Sequence, residues 1–230
     1  YFDLSYDFSL EFYKKTLLLP GIGKSIFLSF FVGIVSTLLS LLLSQVILSK
    51  LYYTKYLATL KKILFPLIAF PHLTMAIGIS FLFSSSGYLI RLVSLVYDFE
   101  RPPNTNLFPD DFGLFLILGL ILKEIPFFLL ISLGVISTIK IKEYFYLGKT
   151  QNYSDFSSWL LFVFPLIYKK IKITIFVVLI FSSTVIDMSL VLAPTTPSTL
   201  SIRILQQFTQ PELSSYSLAT CLSILQFFLI

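Results

Sequence analysis

Cysteine and histidine each occur once in the chain, as Cys221 and His72. One thiol cannot close a disulfide, and one imidazole with one thiol cannot build a structural zinc site within the chain. Charge is scarce as well. Only 13% of the 230 residues are charged, against 56% hydrophobic and 17% aromatic, and mean hydropathy is +0.89. A soluble domain carries about a quarter charged residues, so this composition excludes an ordinary water-soluble globule. No basic face with interleaved aromatics lies outside the apolar runs, so the net charge of +5 is not a nucleic-acid footprint. No short basic signal precedes the first apolar run. The sequence opens on Tyr1 and stops at Ile230 inside a hydrophobic stretch, as a piece of a longer protein would.

Long hydrophobic runs are what is present. They cover about 25–49, 63–83, 112–139 and 171–193, and a fifth, truncated one covers 213–230. About 20 apolar residues in a helix cross the hydrocarbon core, and in lipid the backbone must satisfy its own hydrogen bonds. Dyad alternation of the barrel kind is absent. The expected fold class is all-α integral membrane, with five spans. Residues 1–24 form an N-terminal segment, and 25–230 form the membrane domain with a long loop, 140–170, between spans three and four.

Lysine places the loops. Segment 50–62 carries Lys50, Lys55, Lys61 and Lys62 without an acid. Loop 140–170 carries Lys140, Lys142, Lys149, Lys169 and Lys170 against Glu143 and Asp155, and Lys172 follows it. Segment 84–111 sets Arg91 and Arg101 against Asp98, Glu100, Asp110 and Asp111, while 194–212 has Arg203 and Glu212. The first 24 residues balance Lys14, Lys15 and Lys24 with Asp3, Asp7 and Glu11. The positive-inside rule puts 50–62 and 140–170 in the cytoplasm and the N-terminal segment outside.

"GIGKS" at 21–25 imitates the end of a phosphate loop, but the first glycine of that motif is replaced by Leu18. It reads as a helix start with Ser25 near the N-cap. ATP hydrolysis is therefore not expected of this chain.

Loop 140–170 is amphipathic. Tyr144, Phe145 and Leu147 lie on a short helix that Gly148 ends or bends, "KTQNYSD" is a polar turn, and "FSSWLLFVF" leads to Pro165. Two readings fit: a knob that docks in a partner's groove, or an interfacial helix with Trp159 and the tyrosines in the headgroup belt.

Inside the third run, Lys123, Glu124 and Pro126 stand together. A charge near mid-bilayer costs at least about 2.5–3.5 kcal/mol, and Pro126 removes a bond to the Leu122 carbonyl. Lys123 and Glu124 point about 100° apart on a helix, so each needs its own partner. Asp187 in the fourth run is a natural partner for Lys123, which would leave Glu124 toward a pathway. His72, between Pro66 and Pro71 on one side and the rest of the second run, marks another irregular site. Each of these residues either lines a translocation path or ties helices together. "APTTPSTL", 193–200, reads as a turn on the outer side that starts another helix.

The stretch Glu143-Tyr144-Phe145, Leu147-Gly148 and Phe164-Pro165 resembles the coupling loop of binding-protein-dependent permeases, the membrane subunits of type I ABC importers. Tyr and Phe replace that family's two alanines, and about four residues, Lys149–Asn152, look inserted. Segments 70–91, 119–130 and 185–205 are similar to the YnjC-type subgroup. Those permeases are usually double-length with two fused units, and relatives are linked to thiamine, polyamine or ferric-iron uptake. The resemblance covers about 18–230. It implies a multi-pass permease of the bacterial inner membrane with no catalytic residues, metal or bound cofactor of its own. ATP would sit on a separate ATPase subunit. A substrate-binding protein, a second permease unit and membrane lipid would be the other partners. The alternative is an ion- or proton-coupled secondary transporter using Lys123, Glu124 and Asp187. An integral membrane enzyme is weaker still, because one mid-span histidine and no paired-acid motif offer it little.

Overall fold

The computed structural model describes residues 10–97 and 108–230, which are all-helical. Asp3, Asp7, Asp98, Glu100 and Arg101, used above for orientation, lie outside the described residues. The helices are α1 (Glu11–Leu17), α2 (Ile22–Leu51), α3 (Leu57–Ala69), α4 (His72–Phe83), α5 (Tyr88–Ser94), α6 (Leu114–Ile136), α7 (Ile141–Thr150), α8 (Asp155–Ser158), α9 (Phe164–Thr184), α10 (Ser189–Leu192), α11 (Leu200–Phe208) and α12 (Leu213–Leu229). A π-helical turn, Trp159–Val163, joins α8 to α9.

Three stretches are long and apolar enough to cross a membrane: Ile22–Leu51, His72–Ser94 and Leu114–Ile136. The second is interrupted by the turn at 84–87, between α4 and α5. The five expected runs therefore do not all appear as long apolar helices. α9 holds Lys169, Lys170 and Lys172 in its first half, and α12 is 17 residues long. Many large apolar side chains face outward, among them Phe27, Leu38, Phe65, Phe81 and Ile173. So much exposed apolar surface fits lipid better than water.

α2 is the axis of the fold and packs along both α6 and α9. Ser25, Ser29, Gly33, Ser36, Ser40 and Ser44 line its buried side. Small residues at helical spacing let backbones approach closely. At Gly33 the approach is closest: an added Cβ would lie 2.0 Å from Ser183 Oγ and 3.0 Å from Ser183 N. Gly21, with φ 72°, is the N-cap of α2. Ser25 is therefore not the cap, as expected from "GIGKS", but a buried residue of the first turns that accepts from Arg203.

Two helices break where single ones were expected. In the second run, Phe70 is extended (ψ 127°) and α4 restarts after Pro71. Proline disfavours helical backbone before it and cannot donate to the carbonyl four residues back. In the fourth run, α9 begins earlier than 171 and stops at Thr184. Val185 is extended (ψ 131°), and α10 follows as a separate short helix. Pro126, by contrast, sits buried within an uninterrupted α6.

Two large apolar cores result, beside a small cluster of Ile22, Leu200 and Leu222. One gathers Leu48, Leu64, Phe128, Ile136, Phe145, Trp159 and Ile167 at the α7 end. The other gathers Leu28, Val32, Ala76, Leu116, Leu120, Met188 and Leu192 at the α10 end. Along α2 and α6 a polar layer separates them.

Candidate functional site

That layer is built on Glu124. It is 4% exposed, and three hydroxyls reach it from two neighbouring helices. Ser40 of α2 donates to Oε2 at 2.8 Å and Ser36 to Oε1 at 3.4 Å, while Ser182 of α9 also donates to Oε1. A buried carboxylate is tolerated when hydrogen bonds replace its hydration.

Lys123, 7% exposed, turns the other way, toward the α3–α4 break. Its Nζ donates to the carbonyls of Leu67 (3.2 Å), Ile68 (2.8 Å) and Phe70 (2.5 Å). The last carbonyls of a helix have no partner within it, and Pro71 guarantees this for Leu67. A cation at a helix C-terminus also meets the favourable end of the dipole. Lys123 is thus a side-chain cap supplied from a different helix.

The expected Lys123–Asp187 pair is not formed, since Lys123 turns to the carbonyls of the α3–α4 break. Asp187 is half-buried at the α9–α10 break, and its Oδ1 accepts from Met188 N at 2.9 Å. The two charges thus serve the two interrupted helices.

Between the α3–α4 break, α6 and α9 lies a cavity of about 300 Å³, lined by Ile68, His72, Lys123, Glu124, Phe127, Val177, Val178 and Phe181. His72 opens α4 and is half-buried, with its ring 5.3 Å from that of Phe181. The cavity brings together His72, Lys123 and Glu124. Pro126 lies one turn along α6 and does not line it. An apolar cavity with a few convergent polar groups is the usual form of a small-molecule site. No group of three or more potential metal ligands occurs among the described residues.

The second site is the hairpin between α6 and α9. α7 packs against α8 and the π turn. Gly148 does not end α7, which continues to Thr150; the chain reverses at Asn152, with φ 62°. Gly148 instead gives the hairpin its contact, since an added Cβ would lie 2.7 Å from Ser158 Oγ and 2.8 Å from Ser158 Cβ. Lys149 and Asp155 close the turn at 2.7 Å. Lys149–Asn152, which looked inserted, therefore form the last turn of α7 and the reversal itself. Glu143 is exposed in the first turn of α7. Tyr144, Tyr146 and Leu147 are exposed, and Phe145 is buried. Phe145 packs against Tyr53 with ring centroids 4.6 Å apart, so the α2–α3 link and α7 lie at one end of the molecule. Burial in this cluster, together with Tyr52 and Tyr146 nearby, pushes the Tyr53 hydroxyl up to about 12. Phe164 packs on Tyr168, and Pro165 is exposed just after the π turn.

Trp159 is fully buried, which rules out the headgroup-belt position for this residue. Its indole N–H donates to Gln45 Oε1 at 3.2 Å, and Gln45 Nε2 donates to Ser132 Oγ at 3.2 Å. One side chain of α2 thereby joins the π turn to α6. Ser36, Ser40, Gln45 and Ser182 are absent from the sequence-based candidates. For Ser36 and Ser40 the signal was the serine spacing within the first run, which reads as polar glue between helices only once the partner helices are known; Gln45 and Ser182, the latter in the fourth run, lie outside that pattern.

No protein-family model and no curated protein matches this chain.

Proposed function

We propose that the chain is the membrane-spanning permease unit of an ATP-driven importer of the binding-protein-dependent kind, in the bacterial inner membrane. In this reading α2, α3–α4, α6, α9 and α12 are the five spans, and the α7–α8 hairpin is the cytoplasmic coupling element. The observation that carries it is that hairpin: a compact helical projection inserted between two packed helices, with Tyr144, Tyr146 and Leu147 exposed on it. Support also comes from charge. The Tyr53–Phe145 contact gathers the two lysine-rich connections at one end, as a cytoplasmic face requires.

A partner ATPase would close on ATP and push the hairpin. The π turn and Trp159 tie the hairpin's second helix to α2 and α6 through Gln45, so the push would reach the Glu124 layer as a rigid-body shift. A binding protein outside would deliver the solute, and a second permease unit would complete the path. The chain itself performs no chemistry.

One observation favours the secondary transporter: Glu124, a carboxylate held by hydroxyls beside a cavity, is what ion or proton coupling uses. Affinity capture of the tagged full-length protein from its native membrane separates the two. The importer reading expects an ATPase subunit in the capture, lost with Tyr146→Asp plus Leu147→Asp while the permease stays folded. Gradient-driven uptake by the purified protein, with no ATPase captured in several detergents, would refute it.

A further inference from the structure

α9 packs on α2 and α6, whereas α12 packs on α11 and α1, so α9 and α12 do not close tightly on each other. A lateral groove of about 640 Å³ lies between them. Phe176 and Ile180 of α9 form one wall, and Ile204 of α11 with Phe227 of α12 forms the other. The polar side chains in the groove are already engaged. Gln226 Nε2 donates to Ser201 Oγ, Ser223 Oγ to Ala219 O and Thr184 Oγ1 to Ile180 O, each at 2.8 Å. What remains to be covered is apolar, and the groove is open at the side, with Phe176 53% and Phe227 79% exposed.

The depth of the groove follows from Glu124. That residue stands at the middle of α6, and Ser182, which donates to it, marks the same level on α9. Lys172 lies ten residues before Ser182, about 15 Å along the helix. Half of the hydrocarbon core is also about 15 Å. Lys172 is therefore where hydrocarbon gives way to headgroups, and Lys169 lies almost one turn beyond it. Around the helix, Lys169 and Lys172 stand about 20° and about 40° to either side of Phe176. Both are exposed and neither forms an ion pair among the described residues. Two free ammonium groups thus flank the headgroup end of an apolar groove.

We infer that this groove holds an anionic phospholipid of the cytoplasmic leaflet. The phosphate lies between Lys169 and Lys172, and an acyl chain runs along Phe176 and Ile180. Juxtamembrane lysines attract anionic headgroups, and an acyl chain supplies the apolar contact that the groove wall lacks. A second copy docking through this same face would set lysine against lysine across a two-fold contact. The inference needs the membrane orientation given by the lysine-rich connections and no ATPase.

The test is native mass spectrometry of the detergent-solubilised full-length protein, offered equal amounts of phosphatidylglycerol and phosphatidylcholine with matched chains. Preferential retention of one phosphatidylglycerol is expected. Lys169→Gln with Lys172→Gln should lower that preference about tenfold or more, the loss of two lysine–phosphate attractions. Both positions are exposed, so this variant does not disturb the packing. Ile180→Trp, which fills the groove and keeps the lysines, should reduce retention of either lipid. Lys61→Gln with Lys62→Gln, at the same end but on α3, should leave the preference unchanged. Equal retention of the two lipids, an equal loss with the α3 lysines, or retention indifferent to Ile180→Trp would each overturn the inference. So would glycerol phosphate, which has no acyl chain, competing as well as the lipid, or a lipid-free dimer that Ile180→Trp dissociates. Because no ATPase is present, a failure here leaves the hairpin reading standing, and a failed ATPase capture leaves the lipid site standing.

Discussion

Gly148 gives the sharpest test of the hairpin. A Cβ added there would lie 2.7 Å from Ser158 Oγ, 2.8 Å from Ser158 Cβ and 3.0 Å from Phe162 Cδ2. Phe162 can turn aside, but Ser158 Cβ is fixed to the backbone of α8. Overpacking of this kind costs about 1–3 kcal/mol. Against it stands the gain of about 0.5–1 kcal/mol when alanine replaces glycine within a helix. Gly134, where an added Cβ meets nothing within 4 Å, isolates that gain. Gly134→Ala should be neutral or stabilising, and Gly148→Ala should fall about 1–3 kcal/mol below it. Ser158→Gly removes both obstructing serine atoms, so Gly148→Ala with Ser158→Gly should recover at least about 1 kcal/mol relative to the sum of the single changes. Reversible unfolding in mixed detergent micelles measures all four variants, and propensity terms cancel in the cycle. A coupling energy within about 0.3 kcal/mol of zero would refute the reasoning, because the hairpin would then have room that this packing denies it.

Three further outcomes are expected. Lys123→Met strips three carbonyls of their cap, partly offset by relief of a buried ammonium. It should cost about 2–4 kcal/mol, with faster amide exchange around 67–75; unchanged exchange there would rule out the capping role. Gln45→Leu removes the acceptor of the Trp159 indole and should destabilise by about 1–3 kcal/mol. Trp159 is the sole tryptophan, so its emission should move to shorter wavelength, and an unmoved spectrum would mean the bond is not made. Arg203→Met breaks the ties to Pro20 O (2.6 Å) and Ser25 Oγ (3.4 Å). It should cost about 1–2 kcal/mol, with exchange rising at 18–25 and not at the cavity.

Much of the molecule was legible in order of sequence. The apolar runs announced helices for lipid, and Pro66 and Pro71 marked the second run as irregular, but not that it breaks into α3 and α4. Gly148 was singled out as the end or bend of α7, whereas it lies within α7 at the contact with Ser158. Glycine at a helix end and glycine at a helix crossing look alike in one dimension, and only the neighbour at Ser158 distinguishes them. The α9–α10 break at Val185 had no proline to mark it. Pro126, which could have broken α6, sits buried in a helix that runs uninterrupted from Leu114 to Ile136.

By itself the sequence determined the solvent, the helical class and the presence of charge where charge is costly. Those follow from composition and from the period of single segments, which are local quantities. The tertiary structure alone decided which partner each charge found. Lys123 and Glu124 are adjacent in the chain but diverge by a helical step, so their partners come from α3 on one side and from α2 and α9 on the other. The same holds for Gln45 and Trp159, 114 residues apart and joined by one hydrogen bond. Pairing in a membrane interior is settled by which helices lie side by side, and no pattern within one helix contains that information.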